Sequence, residues 1–167
     1  MPTQTDVLII GCGIAGASAA LRLASNPRRQ ITVITRAPDP NESNTYYAQG
    51  GIVSLGPDDN ADLLVNDILA AGAGASSSRA ARILAEDGPC LVQEVLIERC
   101  GIQFDHHGDG EYWWGKEAAH SRRRILHVGD LTGKAIITGL ISALRECPNV
   151  NIVANATAID LITFPHH

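Results

Sequence analysis

The chain has 167 residues, 45% of them apolar and 19% charged, with a formal net charge of −5. This supplies the side chains for one domain with a core and excludes a disordered polymer, while the negative balance excludes a general binder of nucleic acid or acidic membranes. No basic segment precedes an apolar run at the N-terminus, and the first such run, Val7 to Ile10, is far too short for a bilayer span or a signal core, so a soluble cytoplasmic protein is expected.

In chain order, Asp6 to Ile10 reads as a fully buried strand leading into "GCGIAG", residues 11 to 16. A helix follows over Ile14 to Ser25, stopped by Asn26-Pro27, and a second strand over Gln30 to Thr35. Strand, helix and strand together make a parallel crossover of about thirty residues. Residues 37 to 60 carry no periodic pattern and read as a long loop, a class that is functional or mobile inside a compact chain. Helices are expected over Ala61 to Ala71 and Ser78 to Cys100, the second with Leu84, Leu91, Val95 and Leu96 at helical spacing. Gly101 to Val128 breaks into short runs and turns, an antiparallel excursion in which Trp113-Trp114 packs. Asp130 carries an N-cap signal for a helix over Lys134 to Cys147, ended by Pro148, and apolar runs follow over Val150 to Ala154 and Ala158 to Phe164. The fold class is α/β: a Rossmann-like parallel sheet with crossover helices and a small antiparallel excursion. Nothing that closes such a fold follows before His167, so the chain reads as the front part of a larger protein.

Other features point away from chemistry. Cys12, Cys90, Cys100 and Cys147 form no C-x-x-C pair and read as isolated buried thiols, and no metal is expected. The Asn-x-Ser/Thr matches at Asn41 and Asn155 carry no weight without a secretory signal. "DHHGDG", residues 105 to 110, imitates a calcium loop, but His107 and Lys116 occupy positions that need oxygen ligands, so a hairpin turn is expected. His120 and His127 read first as hydrogen-bonded structural histidines, and Arg122, Arg123 and Arg124 as a solvated basic face.

The glycine turn is the strongest local signal. Gly11, Gly13 and Gly16 fit G-x-G-x-x-G after a strand and at the mouth of a helix. The first glycine permits the tight turn, the second lets backbone approach a pyrophosphate, and the third lets helix and strand pack closely. The phosphates then meet the free N–H groups and positive dipole end of the helix. The pattern does not choose between FAD, NAD and NADP. The acidic ribose reader usual after the second strand is replaced by Thr35-Arg36, and Arg36 would also suit a 2′-phosphate.

Taken together, "DVLIIGCGIAG", "SNTYYAQGGI" and "EAAHSRRRILHVGDLTG", with "ILAAGAG" between the last two, resemble successive motifs of the L-aspartate oxidases within the succinate dehydrogenase and fumarate reductase flavoprotein family. The first motif is common to many flavoproteins, and the other two are specific. The resemblance implies FAD held by Gly11, Cys12, Gly13, Ile14, Ala15 and Gly16 along the pyrophosphate, and by Arg36 near the adenosine. Asn44, Thr45, Tyr46, Tyr47, Ala48, Gln49, Gly50 and Gly51 would lie beside the flavin ring. Relatives with covalent flavin carry a histidine where this chain has Asn44, so non-covalent FAD is implied.

Glu117 matches a glutamate that faces the substrate ammonium group, where a carboxylate attracts the cation and disfavours the plain diacid. Where the family has Glu-Gly-Gly-His, this chain has Glu117-Ala118-Ala119-His120, and the two added methyl groups would shift the backbone. The implied reaction is oxidation of L-aspartate to iminoaspartate by hydride transfer to FAD, with reoxidation by oxygen or fumarate. That step belongs to the quinolinate pathway of de novo NAD and pyridine nucleotide biosynthesis, with a functional link to quinolinate synthase. The resemblance places the acid/base arginine, the capping domain and the C-terminal domain beyond residue 167. No catalytic acid or base is therefore expected in this chain, and by itself it should bind FAD weakly and not turn over aspartate. Two alternatives stand beside this reading: a soluble fumarate reductase or succinate dehydrogenase flavoprotein, and a non-catalytic nucleotide-binding fragment.

Overall fold

In the computed structural model, which describes residues 4–163, the first two predicted strands pair in parallel. They are β1 (Val7–Ile10) and β2 (Ile31–Ile34), joined through helix α1 (Ile14–Ala24) as the crossover. The described residues divide into two compact units. One takes in the chain up to Tyr47 and again from Ile136, and the other is Ala48–Ala135.

The first unit is built on a three-stranded sheet in the order β1, β2, β5, where β5 is Val150–Val153. Both pairings are parallel, with Val7 opposite Ile31 and Ile31 opposite Val150. Its buried apolar residues are Ala17, Ala20 and Leu21 of α1, Ile31 and Val33 of β2, and Ile136, Ile137, Leu140, Ile141 and Leu144 of helix α4 (Thr132–Arg145). Each large aliphatic side chain so buried stabilises the fold by roughly 1.5–3 kcal/mol. The end of α1 is held from far along the chain: Asn149 Nδ2 donates to the carbonyls of Ala24, Asn26 and Arg29 at 3.2, 3.1 and 2.9 Å. β1 departs from the sequence expectation of full burial. Val7 and Ile9 are half-buried, whereas Leu8 and Ile10 are exposed, an alternation that marks one covered and one uncovered face of the strand among the described residues.

The second unit packs α2 (Ala61–Ala71) against α3 (Ser78–Leu91) around Leu64, Val65, Ala81 and Ala85, with Val53, Leu55 and Ile68 at the margin. Asn60 caps α2 through Leu63 N at 3.0 Å, and Ser77 caps α3 through Ala80 N at 3.3 Å. The predicted helical face of α3 is corrected. Leu84 and Leu91 are exposed, and the buried stripe is Ala81, Ala85, Val92 and Leu96, since small alanines let the two helices approach. The helix also changes character after Pro89, which removes an N–H donor, and Val92–Arg99 continues as a π-helix.

The loop read over 37 to 60 contains a short strand, β3 (Ile52–Val53), paired antiparallel with β4 (Ile125–Leu126). Bridges at His106–Tyr112 and Gly115–Ile125 build the predicted antiparallel excursion, and residues 105 to 110 form its hairpin turn. Trp113 lies stacked at 5.2 Å on His107 and remains exposed, while Trp114 is half-buried. Asp130 is not the helix cap that was expected: α4 opens at Thr132, whose hydroxyl accepts from Val128 N at 3.0 Å. The apolar run from Ala158 forms no strand through residue 163, and its last member, Phe164, lies outside the described residues. Of the four thiols read as buried, Cys12 is buried, Cys100 and Cys147 are half-buried and Cys90 is exposed. Among the described residues no helix is long and apolar enough to cross a membrane, and no cluster of potential metal ligands occurs.

Candidate functional site

In the first unit, the turn from β1 into α1 works through its glycines. Gly11 sits at φ +101°, a conformation open to glycine and strained for other residues, and its N–H donates to Ile34 O at 2.9 Å. A Cβ on Gly16 would collide with Gly11 O and press on Gly11 C and Ile9 Cγ2 at 3.2 Å each. The bare α-carbon therefore sets how closely α1 approaches β1. Gly13 occupies the N-cap position and provides no capping side chain; Thr45 Oγ1 accepts from Ile14 N at 3.0 Å instead. Ile14 and Ala15, at the start of the helix, are exposed.

A cleft of about 490 Å³ opens at this turn. Gly11, Cys12, Gly13, Arg36, Asn44 and Thr45 all line it, so six of the predicted cofactor residues share one concavity. A positive helix end at one wall and the exposed Arg36 at another favour an elongated anionic ligand, the electrostatic requirement of a dinucleotide phosphate. The sequence reading missed two parts of the lining: Glu42, and the stretch Ala156 to Ala158 that follows β5. Glu42 supplies a carboxylate downstream of β2, where Thr35-Arg36 had left the usual acidic ribose reader without a counterpart. Tyr46 and Tyr47, in edge contact at 5.2 Å, line a smaller recess of about 180 Å³ with Asp39 and Glu42. Burial pushes the Cys12 thiol up to about 11, against a weaker pull from the Arg145 charge, which leaves it protonated and unreactive at neutral pH.

In the second unit, two of the remaining predicted residues, Gly50 and Gly51, lie beside Glu117. Glu117 Oε1 accepts from Gly51 N at 3.3 Å and lies 3.1 Å from where a Cβ on Gly50 would stand. Gly51 has no room for a side chain, since a Cβ would collide with Ile125 Cγ2 and Leu126 O. Ala48 O accepts from Gly133 N at 3.0 Å, and Gln49 is exposed.

Glu117 opens a four-residue turn closed by His120 N donating to Glu117 O at 3.3 Å, with Ala119 at φ +69°. That position of the turn favours glycine, and an alanine there stores strain. Ala119→Gly is therefore expected to raise stability by about 0.5–1 kcal/mol, read as a higher denaturant midpoint at unchanged slope. An unchanged or lower midpoint would show that the turn is unstrained.

The three arginines after this turn are not equivalent. Arg122 and Arg123 are exposed, but Arg124 is fully buried, its Nε and Nη2 held by Asp59 at 2.6 and 2.8 Å and its Nη1 by Asp67 at 2.8 Å. Burial works against the charged form of Asp67, but the hydrogen bonds from Ser121 and the Arg124 guanidinium outweigh it and hold its carboxyl below the usual range. His127 Nδ1 lies 3.0 Å from Asp105 Oδ2, which also accepts from Gly129 N at 2.8 Å, so His127 is hydrogen-bonded as expected of a structural histidine.

Comparison with known proteins places these features in a family context. The FAD binding domain family is matched over residues 6–166. The chain is 39% identical over 165 residues to the L-aspartate oxidase of Agrobacterium fabrum, covering 98% of this chain and 31% of that protein. To the L-aspartate oxidase of Halobacterium salinarum it is 40% identical over 161 residues, again with 31% of the relative covered. The chain thus spans about a third of the length of these relatives. Among solved structures, E. coli quinol fumarate reductase superposes with a TM-score of 0.86 at 23% identity, over 92% of this chain and 26% of that one. That likeness is one of fold.

Proposed function

Because the chain belongs to the FAD binding domain family, we propose that it is the FAD-binding N-terminal portion of an L-aspartate oxidase that converts L-aspartate to iminoaspartate in the cytoplasm. The observation that carries the reading is identity near 40% to L-aspartate oxidases along almost the whole chain. The geometry described above supports it.

FAD is the cofactor, and the residues fit it. The pyrophosphate belongs at the Gly11–Gly16 turn, where the helix end offers N–H groups and no Cβ obstructs Gly13 or Gly16. Arg36, Glu42, Asn44 and Thr45 line the same cleft, and the family resemblance assigns Arg36 to the adenosine and Asn44 to Gly51 to the flavin ring. Asn44 offers a carboxamide, which is not a nucleophile, and the flavin is held without a covalent link. Bound FAD supplies the two-electron acceptor, and oxygen or fumarate is the final oxidant.

The role of this chain in the reaction is orientation and selection. Glu117, anchored on Gly51 N, presents a carboxylate to the substrate ammonium group; the charge pair favours aspartate and leaves a plain dicarboxylate facing like charge. The acid/base group and the capping domain come from parts of the protein outside this chain, and the product passes to quinolinate synthase.

Assays on the purified full-length protein test the reading. A yellow protein that oxidises L-aspartate in preference to succinate is expected. Glu117→Gln should lower kcat/KM for aspartate about ten- to a hundredfold, with a smaller effect on succinate or fumarate. Fumarate reduction without aspartate oxidation would instead place the protein with the fumarate reductases.

A further inference from the structure

Asp67 makes more hydrogen bonds than neutralising Arg124 requires. The guanidinium has one positive charge, and Asp59 already pairs with it through two bonds, at 2.6 Å to Nε and 2.8 Å to Nη2. A second carboxylate set beside a fully buried ion pair costs desolvation that charge balance does not demand. Yet Asp67 Oδ2 takes three donors: Arg124 Nη1 at 2.8 Å, Ser121 N at 2.7 Å and Ser121 Oγ at 2.9 Å. Two of the three come from the residue that directly follows the Glu117–His120 turn.

That turn needs an external anchor. Ala119 is held at φ +69°, and such strain persists only where the surroundings over-determine the backbone. The glutamate end of the turn is held by a single 3.3 Å bond from Gly51 N. The other end is held firmly, by Ser121 on Asp67 and by Arg124, whose Nη1 also lies 3.5 Å from His120 Nδ1.

We propose that Asp67 is a positioning residue for substrate selection: through Ser121 and Arg124 it fixes the strained turn and hence the place of the Glu117 carboxylate. The proposal rests on the reading that Glu117 meets the ammonium group of an amino dicarboxylate. The side chain on α2 is then a specificity determinant that does not touch the substrate.

The test uses the full-length, FAD-loaded protein, with KM and kcat measured for L-aspartate and for succinate. Asp67→Ala should raise the KM for aspartate about ten- to a hundredfold while kcat changes by less than about threefold and the succinate KM stays close to its starting value. Asp67→Asn, which keeps an acceptor oxygen, should recover part of the loss. Ser121→Ala leaves the Arg124 ion pairs in place and should shift the aspartate KM in the same direction by about threefold, which keeps the test sharp if Asp67→Ala folds poorly.

Glu117→Gln separates the layers of the argument. If it leaves aspartate preferred over succinate to the same degree, the reading of Glu117 fails. If it abolishes the preference while Asp67→Asn and Ser121→Ala retain it, the positioning role fails. A lower unfolding temperature with unchanged selectivity in those two variants likewise overturns it and assigns Asp67 to stability alone.

Discussion

Arg124→Ala is expected to destabilise the second unit by about 3–5 kcal/mol, the cost of removing one partner from a buried ion pair. The Asp59 side chain is 1% exposed and that of Asp67 15%. Losing the guanidinium removes three charge-assisted bonds and strands a carboxylate that water does not reach. Against a typical domain stability of about 5–15 kcal/mol the loss is a large fraction. Arg124→Lys should rescue little, since a point charge cannot reproduce the fork that Nε and Nη2 present to Asp59.

Arg122→Ala and Arg123→Ala, one or two residues earlier in the same run, should stay within about 0.5 kcal/mol of the parent, because both side chains are exposed. Chemical denaturation of the three variants in parallel checks the contrast. Equal midpoints would refute a structural role for the Arg124 cluster.

That contrast also marks what local sequence carries. Within "SRRRIL" nothing nearby distinguishes the third arginine, because its partners Asp59 and Asp67 lie 65 and 57 residues away. Pairing at such separation leaves no periodic trace. Elements closed by local chemistry were legible: α2 runs over Ala61–Ala71 as expected, from an Asn60 cap to a Gly72 end. The strand, helix and strand crossover was legible for the same reason, since its glycines and its Asn26-Pro27 stop act on their own neighbourhood.

The face of α3 was misread because leucine outweighs alanine on any hydrophobicity scale. The contact with α2 instead selects Ala81 and Ala85 for their size. Glu42 escaped notice because the usual rule looks for an acid at the end of β2, whereas the fold brings a later carboxylate to the same cleft. The glycine turn was thus readable where backbone conformation or close approach dictates residue type, at Gly11 and Gly16. The candidate site was unreadable where a charge needs a distant partner.

The second large effect falls on Gly16. Gly16→Val should lower the stability of the first unit by about 2–4 kcal/mol and cost at least about a hundredfold in FAD retention. The added Cβ would occupy the place of Gly11 O, a backbone atom with no rotamer to escape into. Helix α1 must then retreat from β1. Retreat opens the packing of Ala17 and Ala20, both fully buried, and moves the helix N-terminus away from the phosphate position.

Gly13→Ala separates packing from ligand approach. Its Cβ would meet Thr45 Oγ1 at 3.4 Å, an ordinary contact, and Gly13 has φ −76°, which alanine adopts freely. Stability should then change by less than about 0.5 kcal/mol, while a methyl group on the cleft wall weakens the flavin. Thermal unfolding and the flavin absorbance retained after gel filtration of the full-length variants read the two effects apart. Full flavin content in Gly16→Val would exclude this turn as the pyrophosphate site. A destabilised Gly13→Ala with undiminished flavin would make Gly13 a packing glycine and leave the cleft without its closest backbone approach.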